Sequence, residues 1–256
     1  MISTLFRNDS CSKKAMAPSK SIKRSCYWLF VSAVITTLGL ALSPVAAAPA
    51  QSNSDQLFGL TTGEAAEAPL STVWSKMLRA LNDERPIIAH CRTEPSACFL
   101  PAASKFLALV QEGEYLQGRS KIAHINRAAN AALRSENNAH EDGEWRAPLD
   151  AIAKGIGDCK HYAVLKYAAL AAAGIALDAL KIVVVEVRSS HALHAMVAVR
   201  SEGRWLLLDN RSAILIESTL AGAYYKPLYV LDQDGVAQFG PADRLQIVAQ
   251  SDKSTY

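Results

Sequence analysis

A cysteine, a histidine and an aspartate follow one another between Gly157 and Asn210, each at the end of an expected helix or strand. Cys159 opens an apolar helix, His194 opens a strand, and Asp209 closes the next strand. A thiol becomes a nucleophile at neutral pH when a base and an orienting carboxylate stand beside it. The order and the element types therefore predict a Cys-His-Asp triad that attacks carbonyl groups.

The position of Cys159 favours a reactive thiol. The amide groups and the macrodipole at a helix N-terminus stabilise an anion, which lowers the pKa of a thiol. Lys160 and His161 add positive charge nearby, and the same amides are placed to stabilise an oxyanion on a substrate carbonyl. The alternative is a small apolar cysteine buried in the core.

A hairpin ties the histidine to the aspartate. The turn falls at residues 201–203. If its loop has an even number of residues, His194 and Asp209 share one face of the sheet, directly opposite or diagonal. A three-residue loop would place them on opposite faces unless a bulge intervenes. His191, three residues earlier and in the preceding loop, is the rival base.

The residues before the triad have helical periodicity. It covers residues 71–82 and 102–112, and residues 115–134 form a longer predicted helix. Residues 135–148 are polar and predict an irregular loop, which Trp145 and Pro148 fold back onto the core. The nucleophile helix is predicted from Cys159 to Ala173, with Asp158 as N-cap and Gly174 as stop.

After the nucleophile helix the apolar period changes to that of strands. Strands are predicted over residues 181–187, 194–200, 204–209, 212–217 and 228–232, with a hairpin signal at Asp234-Gly235. Helices first and an antiparallel sheet second predict an α+β fold.

Residues 1–50 have the pattern of a secretory signal peptide. Lysine and arginine precede an apolar run from Tyr27 to Leu42, and small residues follow up to Ala50, where we expect cleavage. The run is shorter than the roughly 20 residues that span a bilayer comfortably; an uncleaved anchor is the alternative. We expect a flexible entry segment over residues 51–70, one peptidase domain over residues 71–256, and a periplasmic or secreted protein.

The charge balance argues against a nucleic-acid partner. The whole chain has 27 Lys+Arg and 24 Asp+Glu, but six of those basic residues and only one acidic residue lie in the leader. The remaining 206 residues are therefore slightly acidic. Their composition lacks the excess of lysine and arginine that is typical of a nucleic-acid-binding domain.

Three cysteines remain beyond the leader: Cys91, Cys98 and Cys159. An odd count in an oxidising compartment suggests one pair and one free thiol. Cys91 and Cys98 are seven residues apart across Pro95, close enough for a local disulfide, which leaves Cys159 free. Two free buried thiols at these positions are the alternative.

Several short motifs resemble those of the bacterial transglutaminase-like cysteine proteinases. They are Trp145-x-x-Pro148-Leu149-Asp150, Gly157-Asp158-Cys159-x-x-Tyr162-Ala163-x-x-Lys166, His194-Ala195-Met196-Val197 and Leu208-Asp209-Asn210. Asn126-x-x-x-Asn130 and the close Cys91/Cys98 pair resemble the branch common in rhizobia. The resemblance covers roughly residues 70–240.

The resemblance implies a papain-like, transglutaminase-type fold with Cys159, His194 and Asp209 as its triad. The best-known members of the family are the LapG-type periplasmic proteases, which cleave large surface adhesins and so control biofilm release. A protein or peptide substrate such as a surface adhesin, and an inner-membrane regulatory receptor as partner, are implied in the same way.

One departure from the family concerns calcium. The family reads Asp-Cys-Glu-Asp around the nucleophile, and its acids help bind calcium in the LapG-type enzymes. Here only Asp158 is retained, because Lys160 and His161 replace the two acids, and Asp150 stands where the family has Glu. Calcium prefers several carboxylate or carbonyl oxygens. We therefore expect no cofactor and no metal site, with a shifted site that uses Asp142 as the alternative.

The expected function is that of a cysteine endopeptidase acting through a thioester. An amine in place of water would make the same triad a transglutaminase or deamidase. A catalytically silent peptide-binding module, and a structural secreted domain whose cysteine is core, are the alternatives.

Overall fold

The computed structural model describes residues 56–65, 68–135 and 144–240. The expected leader, its cleavage position and Asp142 lie outside the described residues. Among the helices that are described, none is long and apolar enough to cross a membrane.

Within the described ranges, five α-helices precede most of the sheet. They are α1 (Ala68–Thr93), α2 (Pro101–Glu114), α3 (Gly118–Ala132), α4 (Pro148–Lys154) and α5 (Cys159–Ala172). A short parallel pair, β2 (Arg134–Ser135) with β3 (Ile156–Gly157), joins the end of α3 to the segment that enters α5.

The main sheet is antiparallel and has seven strands in the order β1-β9-β8-β4-β5-β6-β7. Their bounds are β1 (Thr62–Ala65), β4 (Leu180–Val187), β5 (Leu193–Ser201), β6 (Arg204–Leu208), β7 (Ile216–Glu217), β8 (Tyr225–Asp232) and β9 (Gly235–Phe239). A helical layer on an antiparallel sheet is the α+β architecture that the sequence predicted.

The two faces of the sheet bury separate clusters because side chains alternate along each strand. Val197, Val199 and Leu206 face the helices and join the larger core, which contains most of α5. Met196 and Trp205 face the other side and pack in a smaller cluster with Leu57 and Phe239. Helix α5 is thus buried between the sheet and the other helices, a position that fixes its N-terminus.

Local sequence explains why α5 begins and ends where it does. The side chain of Asp158 accepts a hydrogen bond from the Lys160 amide at 3.2 Å and so caps the helix. Alanine and leucine fill its turns, and Gly174 follows with φ of +87°, a conformation that glycine adopts without strain. The predicted N-cap and stop agree with the structure.

The β5–β6 hairpin has a loop of two residues. Ser201 pairs with Arg204, and Glu202 and Gly203 between them both have positive φ, as a type I′ turn requires. The register sets Val197 opposite Leu208. His194 and Asp209 therefore lie on one face in a diagonal relation, one of the two arrangements expected for an even loop.

Several predicted boundaries were wrong, in each case because a distant partner decides the structure. Helix α1 continues to Thr93, well beyond residue 82, and passes through Pro86. Residues 115–117 separate α2 from α3 instead of opening a longer helix. The strand predicted over residues 212–217 is reduced to β7, and residues 62–65 of the expected entry segment pair with β9.

Helix α4 was not predicted, since Pro148 was assigned to a loop. Pro148 is its first residue, and Glu84 of α1 accepts the Leu149 amide with both carboxylate oxygens, at 3.1 and 3.2 Å. Trp145 does pack on the core, as expected, with its ring 6.2 Å from that of Trp74. A side chain far away in sequence therefore caps this short helix.

Candidate active site

Three element ends bring Cys159, His194 and Asp209 together. Cys159 starts α5, His194 lies at the start of β5, and Asp209 follows β6. The His194 ring hydrogen-bonds the Cys159 thiol, and its Nε2 is 3.0 Å from Oδ1 of Asp209. Because Asp209 occupies Nε2, the other ring nitrogen, Nδ1, is left for the thiol.

The surroundings of Cys159 lower its pKa. Burial raises the pKa of the thiol, but the hydrogen bond from His194, the backbone of Ala195 and the charge of His194 together outweigh burial. The charge of Asp158 acts in the opposite direction. A thiol with a lowered pKa beside an imidazole is the arrangement that forms a thiolate–imidazolium pair.

The pKa of His194 is raised. Burial lowers the pKa, since the residue is only 6% exposed. Hydrogen bonds to Asp209 and Cys159, together with their negative charges, raise the pKa by more than burial lowers it. The Tyr225 ring stacks on the imidazole, with the centroids 6.4 Å apart and the planes 22° from parallel. The imidazole is thus fixed in orientation and favoured in its charged form.

Asp209 is held as an anion by several donors. Burial raises the pKa of its carboxyl group, but hydrogen bonds from His194 and Arg211 lower it far below its usual range. The Arg211 guanidinium donates from Nε to both oxygens at 3.2 Å and from Nη2 to Oδ2 at 2.9 Å. The Arg211 amide and the Tyr225 hydroxyl add bonds of 2.9 Å each.

The backbone around Asp209 is tied to the helices. Nδ2 of Asn130 donates to the carbonyls of Asp209 and Ser212, at 3.3 Å each, and Nδ2 of Asn126 donates to Ser212 at 3.2 Å. Nζ of Lys166 lies 3.5 Å from the Leu208 carbonyl. The segment after β6 is therefore fixed from α3 and α5 as well as through its own side chains.

The start of α5 is a second polar cluster. The ammonium of Lys160 contacts Oδ2 of Asp158, and Nδ1 of His161 lies 2.8 Å from Oδ1. The His161 ring also bonds the Asp158 amide at 3.0 Å and the Glu144 carbonyl at 3.0 Å. A Cβ at Gly157 would lie 2.8 Å from Cβ of His161, so only glycine fits there.

This cluster corrects the expectation that Lys160 and His161 lower the pKa of Cys159. Both side chains interact with Asp158 instead. Burial raises the pKa of Asp158, but bonds to His161 and Lys160 lower it to about 2. The groups that lower the pKa of the thiol most strongly are His194 and the backbone of Ala195.

The residues around Asp158 do not fit a calcium ion. Its carboxylate already has an internal cation in Lys160, which would repel a divalent ion, and His161 supplies no oxygen. Within the described ranges, no group of three or more His, Cys, Asp or Glu residues could hold a metal. Asp150, which stands where the resemblance leads us to expect Glu, lies on α4, and its Oδ2 is 3.6 Å from Nζ of Lys154.

A cleft of about 260 Å³ is lined in part by Cys159. Its walls are mostly apolar, and Asp158, Lys160 and His194 are the charged or titratable neighbours of Cys159 that line it. The lining includes Leu70, Trp145, Lys160, Val184, Leu193 and Tyr229. Such a cleft suits an extended, mainly apolar peptide segment.

A larger apolar cavity of about 440 Å³ lies away from Cys159, between α1 and the second half of α5. Glu84, Arg85 and Arg92 stand among its apolar lining. Burial raises the pKa of Glu84 to about 7, although hydrogen bonds from the backbone of Leu149 and Asp150 oppose the shift.

His191 is not part of the cleft. Its side chain is 81% exposed, and Nδ1 is 2.8 Å from Oε1 of Glu186. Of the two candidate histidines, His194 is the one brought to Cys159.

The structure pairs Cys91 with Cys98 in a disulfide, with Cα atoms 4.7 Å apart. Cys159 is free and half-buried. The bond joins the last turn of α1 to the turn before α2.

The sequence reasoning missed Arg211 and Tyr225, the two residues that hold the Asp209 carboxylate. Arg211 is two residues after Asp209, a spacing that predicts a local side-chain contact only if a tight turn follows the strand. Nothing near Tyr225 in sequence predicts its contact, since β8 reaches the site only through its pairing with β4.

Comparison with known proteins gives one family and one recurring structure. Residues 84–230 match the family model described as bacterial transglutaminase-like cysteine proteinase. Calcium-bound LapG from Legionella pneumophila is 22% identical, with 55% of this chain and 81% of LapG covered and a TM-score of 0.49. The EGTA-treated form is 19% identical, with coverages of 67% and 91% and a TM-score of 0.48.

A putative cysteine protease from Cytophaga hutchinsonii is more distant. It is 12% identical, with 56% of this chain and 60% of that chain covered and a TM-score of 0.36. A search of curated protein sequences found no match.

Proposed function

The chain belongs to the bacterial transglutaminase-like cysteine proteinases, a family of cysteine peptidases with a papain-like fold, and we propose that Cys159, His194 and Asp209 are its catalytic triad. The observation that carries this proposal is the unbroken line of contacts from the thiol through the imidazole to the carboxylate. The pKa shifts of all three groups have the direction that the chemistry needs, since the pKa values of Cys159 and Asp209 are lowered and that of His194 is raised.

In the proposed reaction the Cys159 thiolate attacks the carbonyl carbon of a substrate peptide bond. The His194 imidazolium gives its proton to the leaving amine, and a thioester remains on Sγ. His194 then takes a proton from water, whose oxygen attacks the thioester and releases the acid product. Asp209 keeps the imidazole oriented and stabilises its positive charge.

The backbone amide of Cys159 is the oxyanion donor that we assign at the start of α5. The other amides of that turn are occupied: Lys160 donates to the Asp158 side chain, and His161 and Tyr162 donate to the Asp158 carbonyl. A donor next to the nucleophile stabilises charge that appears only in the transition state.

The proposed substrate is an exported protein, of which a surface adhesin is the example that the family resemblance suggests. The apolar cleft supports an extended peptide as ligand. The leader pattern of residues 1–50 supports cleavage after Ala50 and a periplasmic or secreted location. An inner-membrane receptor that regulates access is part of the same proposal.

Selective alkylation tests the triad. Iodoacetamide at near-neutral pH should modify Cys159 quickly in the folded protein, whereas Cys91 and Cys98 are protected by their bond. His194→Ala should slow this modification strongly, while the matched control His191→Ala should not. A wild-type Cys159 that stays unmodified until the protein unfolds would mean a core thiol and would end the proposal.

A comparison of surface proteins tests the substrate. Cells that carry the wild-type gene and cells that carry Cys159→Ala should differ in one or a few proteins released from the cell surface. Cys159→Ala should leave the folded state intact, because the side chain is small and half-buried. Identical released proteins in both strains would contradict the proposed exported substrate.

A further inference from the structure

Lys166 is a lysine in the core of the molecule. It lies on α5, seven residues or about two turns after Cys159 and hence on the same side of the helix. Its side chain is only 1% exposed, and its one described hydrogen bond is the 3.5 Å contact from Nζ to the Leu208 carbonyl. An ammonium has three donors, and its burial is costly unless a charge compensates.

The compensating charge comes from Asp209. Burial lowers the pKa of Lys166 to about 7, and the negative charge of Asp209 is what opposes that shift. Among the described residues, Asp209 is the charged group that acts most strongly on Lys166. The carboxylate thus has His194 and Arg211 as cationic partners in direct contact and Lys166 further inside.

Leu208 connects the lysine to the triad through the backbone. It is the last residue of β6, and its carbonyl belongs to the peptide unit that leads into Asp209. Asn130 holds the next carbonyl, that of Asp209 itself. The hydrogen bonds from Lys166 to the Leu208 carbonyl and from Asn130 to the Asp209 carbonyl hold the two peptide groups on either side of the Asp209 Cα. They therefore fix the direction in which the Asp209 side chain projects towards His194.

We propose that Lys166 is a positioning residue of the catalytic site, which anchors the peptide before Asp209 and supplies an internal positive charge that favours the Cys159 thiolate. The inference rests on the triad proposed above. A positive charge about 10 Å away along the helix lowers the pKa of a thiol and also disfavours the neighbouring imidazolium.

The charge of Lys166 should act mainly on the acidic side of neutrality. With its pKa near 7, the amine is protonated on the acidic side of neutrality and largely neutral at higher pH. Removal of the amine should therefore move the acidic limb of Cys159 reactivity upward and leave the basic limb nearly in place. A purely structural residue would change both limbs equally or neither.

The test is the pH profile of Cys159 alkylation by iodoacetamide in the full chain. Lys166→Met keeps the length of the side chain. In this variant we expect the acidic limb to move upward by about half to one pH unit, so that the reaction on that limb is approximately three- to tenfold slower than in the wild type. The matched control is Val164→Ala, which also removes atoms from a fully buried position of α5. Its profile should match that of the wild type.

Each outcome decides a separate point. A wild-type profile without a low-pH limb would refute the proposed triad itself. A normal wild-type profile that is unchanged in Lys166→Met would refute only the role of Lys166. So would an equal shift in Val164→Ala, because a packing defect would then suffice.

A second measurement does not depend on folding of Lys166→Met. With ¹³Cε-labelled lysine, one NMR signal of the wild-type chain should titrate near neutral pH. In Asp209→Asn the pKa of that signal should fall by about half a pH unit or more, because the opposing negative charge is gone. An unchanged titration, or no lysine that titrates near neutrality, would overturn the inference.

Discussion

Asp209 and Glu84 are carboxylates in two regions of the molecule, one at the end of β6 and the other on α1 beside the apolar cavity. Burial raises the pKa of both. The net shift nevertheless has opposite signs, far below the usual range for Asp209 and up to about 7 for Glu84.

The number and charge of the donors explain the difference. Asp209 receives the Arg211 guanidinium, the His194 ring, the Tyr225 hydroxyl and a backbone amide. Among the residues that the structure describes, Glu84 receives backbone amides only, and the negative charge of Asp150 adds to its shift. Backbone amides alone do not offset the loss of water around a carboxylate.

The comparison separates the carboxylate that we propose to serve chemistry from one that serves packing. The first is surrounded by cations, which favour its charged form. The second caps α4 and tolerates protonation. The predictions below test this contrast, beginning with the largest effect.

Asp209→Asn should lower the rate of peptide hydrolysis by roughly 10³- to 10⁴-fold. The amide cannot stabilise the imidazolium and favours the wrong ring tautomer, although the volume is the same. Turnover of the substrate protein from the surface comparison measures the loss. Glu84→Gln is the control, and it should keep nearly full activity; equal losses in both would remove the distinction.

Arg211→Gln should lower turnover by about tenfold, since charged hydrogen bonds to Asp209 are lost at a guanidinium that is half exposed. Tyr225→Phe removes one neutral donor and should cost less, about two- to fivefold. The measurement is the turnover of both variants, and Arg211→Gln should be the slower of the two. If Tyr225→Phe had the larger effect, the neutral hydrogen bond from the Tyr225 hydroxyl would matter more than the charge of Arg211.

Glu84→Gln should change how thermal stability depends on pH. The folded-state pKa of Glu84 lies above the unfolded value, so its stabilising contribution is complete below about pH 4.5 and is lost as the pH rises through about 7. The difference in Tm, Glu84→Gln minus wild type, should therefore increase by roughly 1–3 °C from pH 5 to pH 8. Parallel Tm curves would show that Glu84 titrates normally.

EGTA should change neither turnover nor Tm. Asp158 resembles Asp209 and differs from Glu84, because it has a cationic partner in the Lys160 ammonium. That ammonium supplies the positive charge that a calcium ion would otherwise provide. Lys160→Glu is the informative variant: it places two acids at the start of α5, and added calcium should then raise its Tm. Loss of wild-type activity that calcium restores would contradict the reading of Lys160.

The sequence was sufficient where the structure is decided locally. Asp158 and Gly174 define α5. The position of the β5–β6 turn was also predicted, whereas the parity of its loop stayed open until the pairing of Ser201 with Arg204 showed two loop residues. The α+β class followed from the change of apolar period. These features depend on a few neighbouring residues and on alternation along a strand.

It was insufficient where a distant partner decides. Helix α4 depends on Glu84, 65 residues earlier than Leu149. The segment after Asp209 was predicted as a strand, but side chains of α3 hold its carbonyls. Tyr225 reaches Asp209 only after β8 pairs with β4 in an irregular register. None of these contacts has a local pattern.

The two-residue loop of the β5–β6 hairpin has a consequence for how this gene can change over evolutionary time. Both loop residues have positive φ, and the strand pairing begins directly beside them. Unless a bulge absorbs the extra residue, one inserted codon would shift the parity of β6 against β5 and turn the Asp209 side chain away from His194, while two would restore the common face. We therefore expect insertions and deletions at this turn to preserve the common face of His194 and Asp209 when they change its length by two residues.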